Sequence, residues 1–600
     1  MRIHPGAVLA PLGGALTAML SGASPAWAHA FGARYDLPLP LELYLIGAGG
    51  AVAFSFLIMV LSFDRRPTHP GGSRIDLQRI RILRPLGRPV VTGILKLVSV
   101  GLLILVLATG FFGNQDPARN FAPTFIWIVW WVGFVYVAAL VGNVWPVLNP
   151  WSGIMAGLER LSRWFGWRRP LCLGLPYPSW LGVSPAIVLF FLFAWFELIA
   201  ETGKSPTILA TAALVYSGIT LAGMAAFGRD AWLRYGEAFS IAFDVFGRFA
   251  PIGGTDMPGQ DGTSRGWHLR PYGSDLIATT PCRLSLTAFV LVMLSTVTFD
   301  GFKETPLWGE LLQSIALTPA LHPAIRLIHD LGFELTVVLE TIVLALFPLI
   351  FLSAYLGFAW LTGRASGRAR PVTETAGLFV YSLVPIAIAY HLAHYLSYLL
   401  IAGQLIIPLA SDPFGYGWDL FGTAGFEVDI AVIGARFVWY AAVITIVIGH
   451  VFAVGIAHFT ALRAFDSIRA AVRSQYPLLV LMVGYTMVSL WILSQPIVGA
   501  PGSSALEARS DSISLAPFEF RELCIPLARG DRLDVTFRSD QKVEFDIHYH
   551  DGLTTRFPVR RTDVASHSGS FVAETAGSYC LMWFNRNLTK AALTYRVTGP

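Results

Sequence analysis

The chain has 600 residues, of which 54% are hydrophobic and 14% charged, with a formal net charge of +5. A soluble globular domain carries about a quarter charged residues, so this composition excludes that class and indicates a polytopic membrane protein whose main partner is the lipid bilayer. The small positive excess is accounted for by arginine-rich loops and requires no nucleic-acid partner. Four familiar signatures are missing from the sequence: G-x-x-x-x-G-K-[ST], G-x-G-x-x-G leading out of a strand, C-x-x-C-H and H-E-x-x-H.

Residues 1–28 read as a secretory signal peptide. Arg2 precedes an apolar run from Ala7 to Leu20, and Ser24-Pro25-Ala26-Trp27-Ala28 supplies small residues for cleavage. A cut after Ala28 leaves His29 at the mature N-terminus, where amine and imidazole together chelate metals such as copper. Residues 29–497 form the expected transmembrane domain. Ten apolar runs, at 41–63, 91–113, 123–145, 184–201, 205–227, 284–301, 335–361, 376–408, 431–460 and 477–497, approach the roughly 20 residues a spanning helix requires. The loops holding most of the arginines, including Arg65, Arg66, Arg74, Arg160, Arg229, Arg364 and Arg463, alternate with poorer ones. The positive-inside rule puts the rich loops in the cytoplasm. The mature N-terminus and the tail then lie on the periplasmic side of a bacterial inner membrane, and an even number of spans gives the same orientation.

Residues 498–600 change character. Short alternating runs such as Arg532–Arg538 and Val543–His550 read as strands, and about one hundred residues fit a periplasmic β-sandwich. Cys524 and Cys580 fall there and are expected to form a disulfide, whereas Cys172 and Cys282 are expected on the reducing side. Asp546, His548 and His550 alternate on one strand face, which reads as a solvated polar face in preference to a metal site.

The most informative run is Pro385-Ile-Ala-Ile-Ala-Tyr390-His391-Leu-Ala-His394-Tyr395-Leu-Ser-Tyr398. Two histidines three apart share a helix face, and ionisable groups at membrane depth normally face a bundle interior or cavity. The next span adds His450 and, nearer its end, His458; span seven adds Glu340 and span four Glu197. Imidazoles and carboxylates together suit zinc, iron, copper or manganese, with His391, His394, His450 and Glu340 as the candidate set. Haem held by histidines of neighbouring spans gives a similar pattern, and so do structural or proton-relaying histidines. The loop Ala410–Gly422, rich in Gly, Asp and aromatics, reads either as a roof over a cavity or as a turn packed at headgroup depth.

The segments Ala28–Pro40, Trp145-Pro146-Val-Leu-Asn149-Pro150-Trp151, Tyr390–Tyr395 and Leu409–Asp419 resemble bacterial multi-span membrane proteins known as fenitrothion hydrolases. The resemblance is spread over the membrane part and does not reach the tail. It implies a metal-dependent hydrolase of apolar organophosphorus triesters, in which a metal-bound water attacks phosphorus. On that reading His391, His394 and His450 are ligands and Glu340 is a ligand or general base. The alternatives left by the residues themselves are a metal- or haem-binding redox or copper-handling protein, and a proton-coupled transporter. The expected whole is thus an all-α polytopic membrane bundle of about ten transmembrane helices carrying a C-terminal periplasmic β-sandwich-like domain.

Overall fold

The computed structural model describes residues 40–63, 74–77, 89–166, 171–254, 267–278, 280–367, 370–429, 432–495, 509–515, 520–527, 529–551, 554–575, 577–587 and 589–599. The expected signal peptide and His29 lie outside the described residues. The chain divides into two compact units, one of Leu37–Gly301 with Thr341–Ser494, the other containing Phe302–Glu340 and Gln495–Pro600.

Among the described residues, nine helices are long and apolar enough to cross a membrane. They are α1 (Leu41–Ser62), α2 (Val90–Phe112), α3 (Phe121–Leu140), α5 (Pro206–Phe227), α6 (Leu284–Lys303), α7 (Leu335–Ala365), α8 (Val372–Ser411), α9 (Ala435–Ala464) and α10 (Ile468–Ser494). The span expected at 184–201 is instead the 15-residue helix α4 (Ser184–Leu198), which covers only about 22 Å at the helical rise. Its end is set by Ala200, which is extended, and by the tight turn Glu201–Lys204 before Pro206 opens α5. A further apolar pair, Pro306–Leu317 with Pro319–Ile328, is bent by 72° and belongs to the other unit.

Burial sorts the helices by what they can expose. α2 turns Val90, Ile94, Leu97 and Ile104 outward, and α7 turns out Ile342, Leu346, Leu349 and Ile350, as lipid-facing helices do. α6 and α8 are instead enclosed along most of their length, and they carry the polar side chains. Small residues let neighbours approach closely. A Cβ on Gly449 of α9 would stand 2.4 Å from the Ala389 Cβ and 2.8 Å from the Pro385 carbonyl oxygen of α8.

Two segments behind the family resemblance prove to be structural joints. Asn149 caps the helix Pro150–Trp164 by accepting from the Ser152 amide at 2.8 Å, and the Trp151 indole donates to Ser217 Oγ at 2.8 Å. In the loop after α8, Asp412 accepts from the Tyr416 and Gly417 amides. The Phe414 and Pro413 carbonyls of that loop accept from the amides of Asn114 and Phe121, clasping the α2–α3 connection. Gly415, at φ +69°, lies where a Cβ would meet the Arg119 carbonyl oxygen at 2.4 Å.

A small antiparallel sheet of β1 (Ile75–Asp76), β3 (Trp267–Leu269) and β2 (Ile252–Gly254) closes one loop region of the bundle unit. The C-terminal part is a single curled antiparallel sheet. Its strands are β4 (Arg509–Leu515), β5 (Phe520–Leu527), β6 (Arg532–Asp551), β7 (Thr554–Val572), β8 (Gly577–Phe584) and β9 (Ala591–Thr598), in the order β4-β9-β6-β8-β5 with β7 also on β6. The two runs read as separate strands are one strand of 20 residues, interrupted by irregular register between Arg538 and Val543. Such a break bends a strand and raises its twist, so β6 pairs with β9 through Asp534–Ser539 and with β8 through Glu544–Tyr549. Leu523, Phe545, Ile547, Leu581 and Trp583 form part of its apolar core.

The Gly449 contact makes a testable demand. Gly449→Ala forces α8 and α9 apart and should cost about 1–3 kcal/mol, read as a lower thermal midpoint in detergent. Gly484→Ala on α10, where a Cβ meets nothing within 4 Å, should lose nothing.

Candidate functional site

The enclosed helix α8 is not uniform. It tightens into 3-10 turns at Val380–Leu383 and Ala402–Leu405, leaving an α-helical middle from Val384 to Ile401 opened by Pro385. That middle presents Tyr390, His391, His394, Tyr395 and Tyr398 to the bundle interior, with His391 and Tyr390 fully enclosed.

The centre of this region is Asp300, on the last turn of α6. It is 2% exposed. Its Oδ2 accepts a hydrogen bond from the Tyr395 hydroxyl at 2.8 Å and stands 2.9 Å from His394 Nε2. A carboxylate enclosed by apolar helices is tolerable only when hydrogen-bonded or paired, and this one has both. Glu197, at the end of α4, is close enough to act electrostatically on Tyr395 and Tyr398. Gly301 makes room for the cluster, since a Cβ there would fall 2.6 Å from the Tyr390 hydroxyl and 3.7 Å from His394 Cε1.

His391 lies one helical turn away among aromatic rings: Tyr395 at 4.8 Å, Trp131 at 5.8 Å, Tyr136 at 6.3 Å and Phe246 at 6.4 Å between centroids. It hydrogen-bonds the backbone of Val132, and its Nε2 is buried without a partner. Val132 belongs to Thr124–Gly133, a segment of α3 wound as a π-helix. That winding loosens the regular i→i+4 ladder and recurs at functional sites.

His450 faces another way. Its Nδ1 is 2.8 Å from the Ile446 carbonyl oxygen, its Nε2 is buried without a partner, and its nearest ring neighbour is Tyr485 at 6.2 Å. Thr298 donates to the Leu294 carbonyl, so the Tyr485 hydroxyl donates to Thr298 Oγ1 across 2.6 Å. The Tyr390 hydroxyl, near this cluster, is buried without a hydrogen-bond partner. Hydrogen bonds thus join Tyr395, Asp300 and His394 into one cluster and Tyr485 to Thr298 in another, with Tyr390 and His450 beside them. His458 is a tether, its Nδ1 3.1 Å from Gln475 Oε1 and its Nε2 3.0 Å from the Phe63 carbonyl oxygen.

Of the expected set of His391, His394, His450 and Glu340, the three histidines are not gathered into one centre. Within the bundle unit, ligand atoms of the three histidines do not collect within 4.8 Å of one another, and His450 turns towards α10 whereas His391 turns towards α3. Glu340 is half-buried on α7. A haem between His391 and His450 does not fit either, because α8 and α9 touch at Ala389 and Gly449 and leave no width for a macrocycle.

The sequence reading missed Asp300, Trp131 and Tyr485. An acid three residues before Lys303 looks interfacial, and the only local signal was the run Thr298-Phe299-Asp300-Gly301, with a small residue beside the acid.

A second cluster lies in the C-terminal sheet and overturns the reading of a solvated face. Asp546 and His548 are 1% and 4% exposed. His548 Nδ1 is 2.6 Å from Asp546 Oδ1, and its Nε2 is 3.5 Å from Glu522 Oε1. Burial pushes the Glu522 carboxyl up from its ordinary value, with Asp546 adding to the rise and His548 opposing it. Cys580 is disulfide-bonded, and the ladder sets Cys524 directly opposite it, in keeping with the expected pairing. Cys172 and Cys282 are free. The side chain of His550 lies outside the described part.

No protein-family model matches this chain, and a search of curated proteins returned no match. The functional reading therefore rests on the chemistry of the two clusters.

Removing the shared acceptor separates structural from chemical roles of Asp300. Asp300→Leu strands the Tyr395 hydroxyl and His394 and should cost about 1–3 kcal/mol for each group left unpaired. Asp300→Asn, which keeps an acceptor oxygen, should cost much less, with thermal unfolding in detergent as the measurement.

Proposed function

We propose that the chain is a proton-handling membrane protein, a proton-coupled transporter in which the Asp300–His394–Tyr395 cluster takes up and releases the coupled proton. One observation carries this reading: a buried carboxylate whose single oxygen serves both an imidazole and a phenol, at 2.9 and 2.8 Å. With His394 protonated at Nε2, Asp300 is held as the anion by two donors. When that proton passes from His394 Nε2 to Asp300 Oδ2, the contact is kept with its direction reversed, the carboxylic acid now donating to the imidazole. A proton can therefore shift between the two groups without a large change in hydrogen bonding, and Tyr395 holds the acceptor oxygen in place throughout. Tyr485, hydrogen-bonded to Thr298 on the helix that carries Asp300, and His450 beyond it are further polar groups within the same bundle.

The positive-inside distribution of arginines supports a bacterial inner-membrane protein with its mature N-terminus and C-terminal domain in the periplasm. On that orientation the cluster lies in the periplasmic half of the bilayer.

A second reading, hydrolysis of an apolar organophosphorus triester as the resemblance implies, is favoured by the buried, partnerless Nε2 of His391. Its ring is fixed by the Val132 backbone, so the lone pair is available to accept a proton from an attacking water or to hold a divalent metal. Such a metal, when bound, supplies an activated water and a polarised phosphoryl oxygen.

In vesicles with a trapped pH-sensitive dye, wild-type protein should dissipate an imposed proton gradient, and Asp300→Asn should slow this at least about tenfold, the factor given by a barrier increase near 1.4 kcal/mol. Equal rates for the two proteins, or no flux above empty vesicles, would refute the relay. Nitrophenol release that is lost in His391→Ala but kept in Asp300→Asn would select the hydrolase.

A further inference from the structure

The polar face of the C-terminal sheet contains an arrangement that the membrane cluster does not use. Glu522 on β5, Cys580 and Met582 on β8, and Asp546 and His548 on β6 share one face, since the register sets Glu522 and Asp546 opposite Met582 and sets His548 opposite Cys580, with Cys524 paired to Cys580 in the ladder. A carboxylate oxygen of Glu522, an imidazole nitrogen of His548 and the sulfur of Cys580 all lie within 4.8 Å of one another.

Three features of this cluster suit a metal ion better than a plain ion pair. The 3.5 Å separation of His548 Nε2 and Glu522 Oε1 is long for a charge-assisted hydrogen bond. It is close to the spacing of about 3.3 Å between two ligands held tetrahedrally at zinc-like bond lengths. Asp546 grips the opposite ring nitrogen, so Nε2 is the nitrogen turned to Glu522, as in carboxylate–histidine–metal arrangements. Asp546 Oδ2 itself is buried with no hydrogen-bond partner, an acceptor in surplus that a nearby cation would offset. Access is available through Glu522, whose side chain is 22% exposed beside the buried His548.

Cys580 is in a disulfide, and a disulfide sulfur is no thiolate ligand. We propose that Glu522, His548 and Cys580 form a divalent-metal site of the zinc class that is completed when the Cys580 disulfide is reduced. A dithiol reductant supplies two electrons and two protons; the S–S bond breaks, two thiols form, and the reductant is left as its own disulfide. Metal binding then releases the Cys580 thiol proton to solvent. The sheet thereby links thiol state to metal occupancy, holding the ion weakly when oxidised and tightly when reduced.

Full-length protein in detergent, oxidised or reduced with a water-soluble phosphine (which takes its oxide oxygen from water), is titrated with Co²⁺ and then Zn²⁺. Reduced protein should bind one more Co²⁺ than oxidised protein, with a thiolate-to-cobalt charge-transfer band that Zn²⁺ abolishes. Cys172 and Cys282 are already thiols in the oxidised sample, so their binding falls in its baseline. His548→Ala and Glu522→Gln should each remove the added band, and Asp546→Asn should weaken binding about 10–100-fold. Cys524→Ser, which leaves Cys580 as a thiol, should bind without reductant. No added band on reduction, or a band that survives in both His548→Ala and Glu522→Gln, overturns the proposal. So does a Cys524→Ser protein with wild-type protease resistance and no band; if that variant is protease-sensitive, the reduced wild type and Glu522→Gln decide.

Discussion

A carboxylate enclosed by apolar helices is the constraint on which the bundle turns. Asp300 is enclosed by helices, and its hydrogen-bond partners His394 and Tyr395 come from a neighbouring one, so those helices must stay where the partners can reach. This accounts for the central position of α6 and α8 and for the outward exposure of α2 and α7, which carry little polar cargo. It also explains the small residues at the tightest contacts, where Gly301 clears space for Tyr390 and Gly449 brings α9 against α8. Apolar contacts alone give little direction to helix association in lipid, and polar contacts with close packing supply it.

The C-terminal sheet solves a different problem with one strand. β6 is long enough to pair with β9 at one end and β8 at the other, and its irregular register lets the sheet curl around a core containing Phe545 and Trp583. The same curl covers the opposite face near Asp546 and His548, where Phe557 packs 5.5 Å from the His548 ring. Burial of polar groups there follows from pairing β6 on both edges, with β7 along one and β8 on the other.

What could be read from the amino-acid order was set by local contrast. His391 and His394 stand out because an apolar run surrounds them, and the enclosed site on α8 follows from that contrast. Asp300 does not stand out, because near the end of a run an acid and a following lysine look like an interface. The partner that completes the site comes from 94 residues away, a separation that periodicity does not encode. Hydropathy likewise marks 184–201 as apolar but cannot see that Ala200 turns the chain early. Alternation in Val543–His550 identifies a strand, yet the exposure of its polar face depends on which strands flank it.

The breaks in α8 carry a mechanical meaning. Turns at Val380–Leu383 and Ala402–Leu405 isolate an 18-residue rod that bears Tyr390, His391, His394 and Tyr395. Side chains on one rigid rod keep their mutual spacing, whatever the rod does. A slide or roll between those two joints moves every α8 contribution together against fixed Asp300, Val132 and Tyr485, so contact with all three changes in concert, as the teeth of one key engage several pins in a single turn.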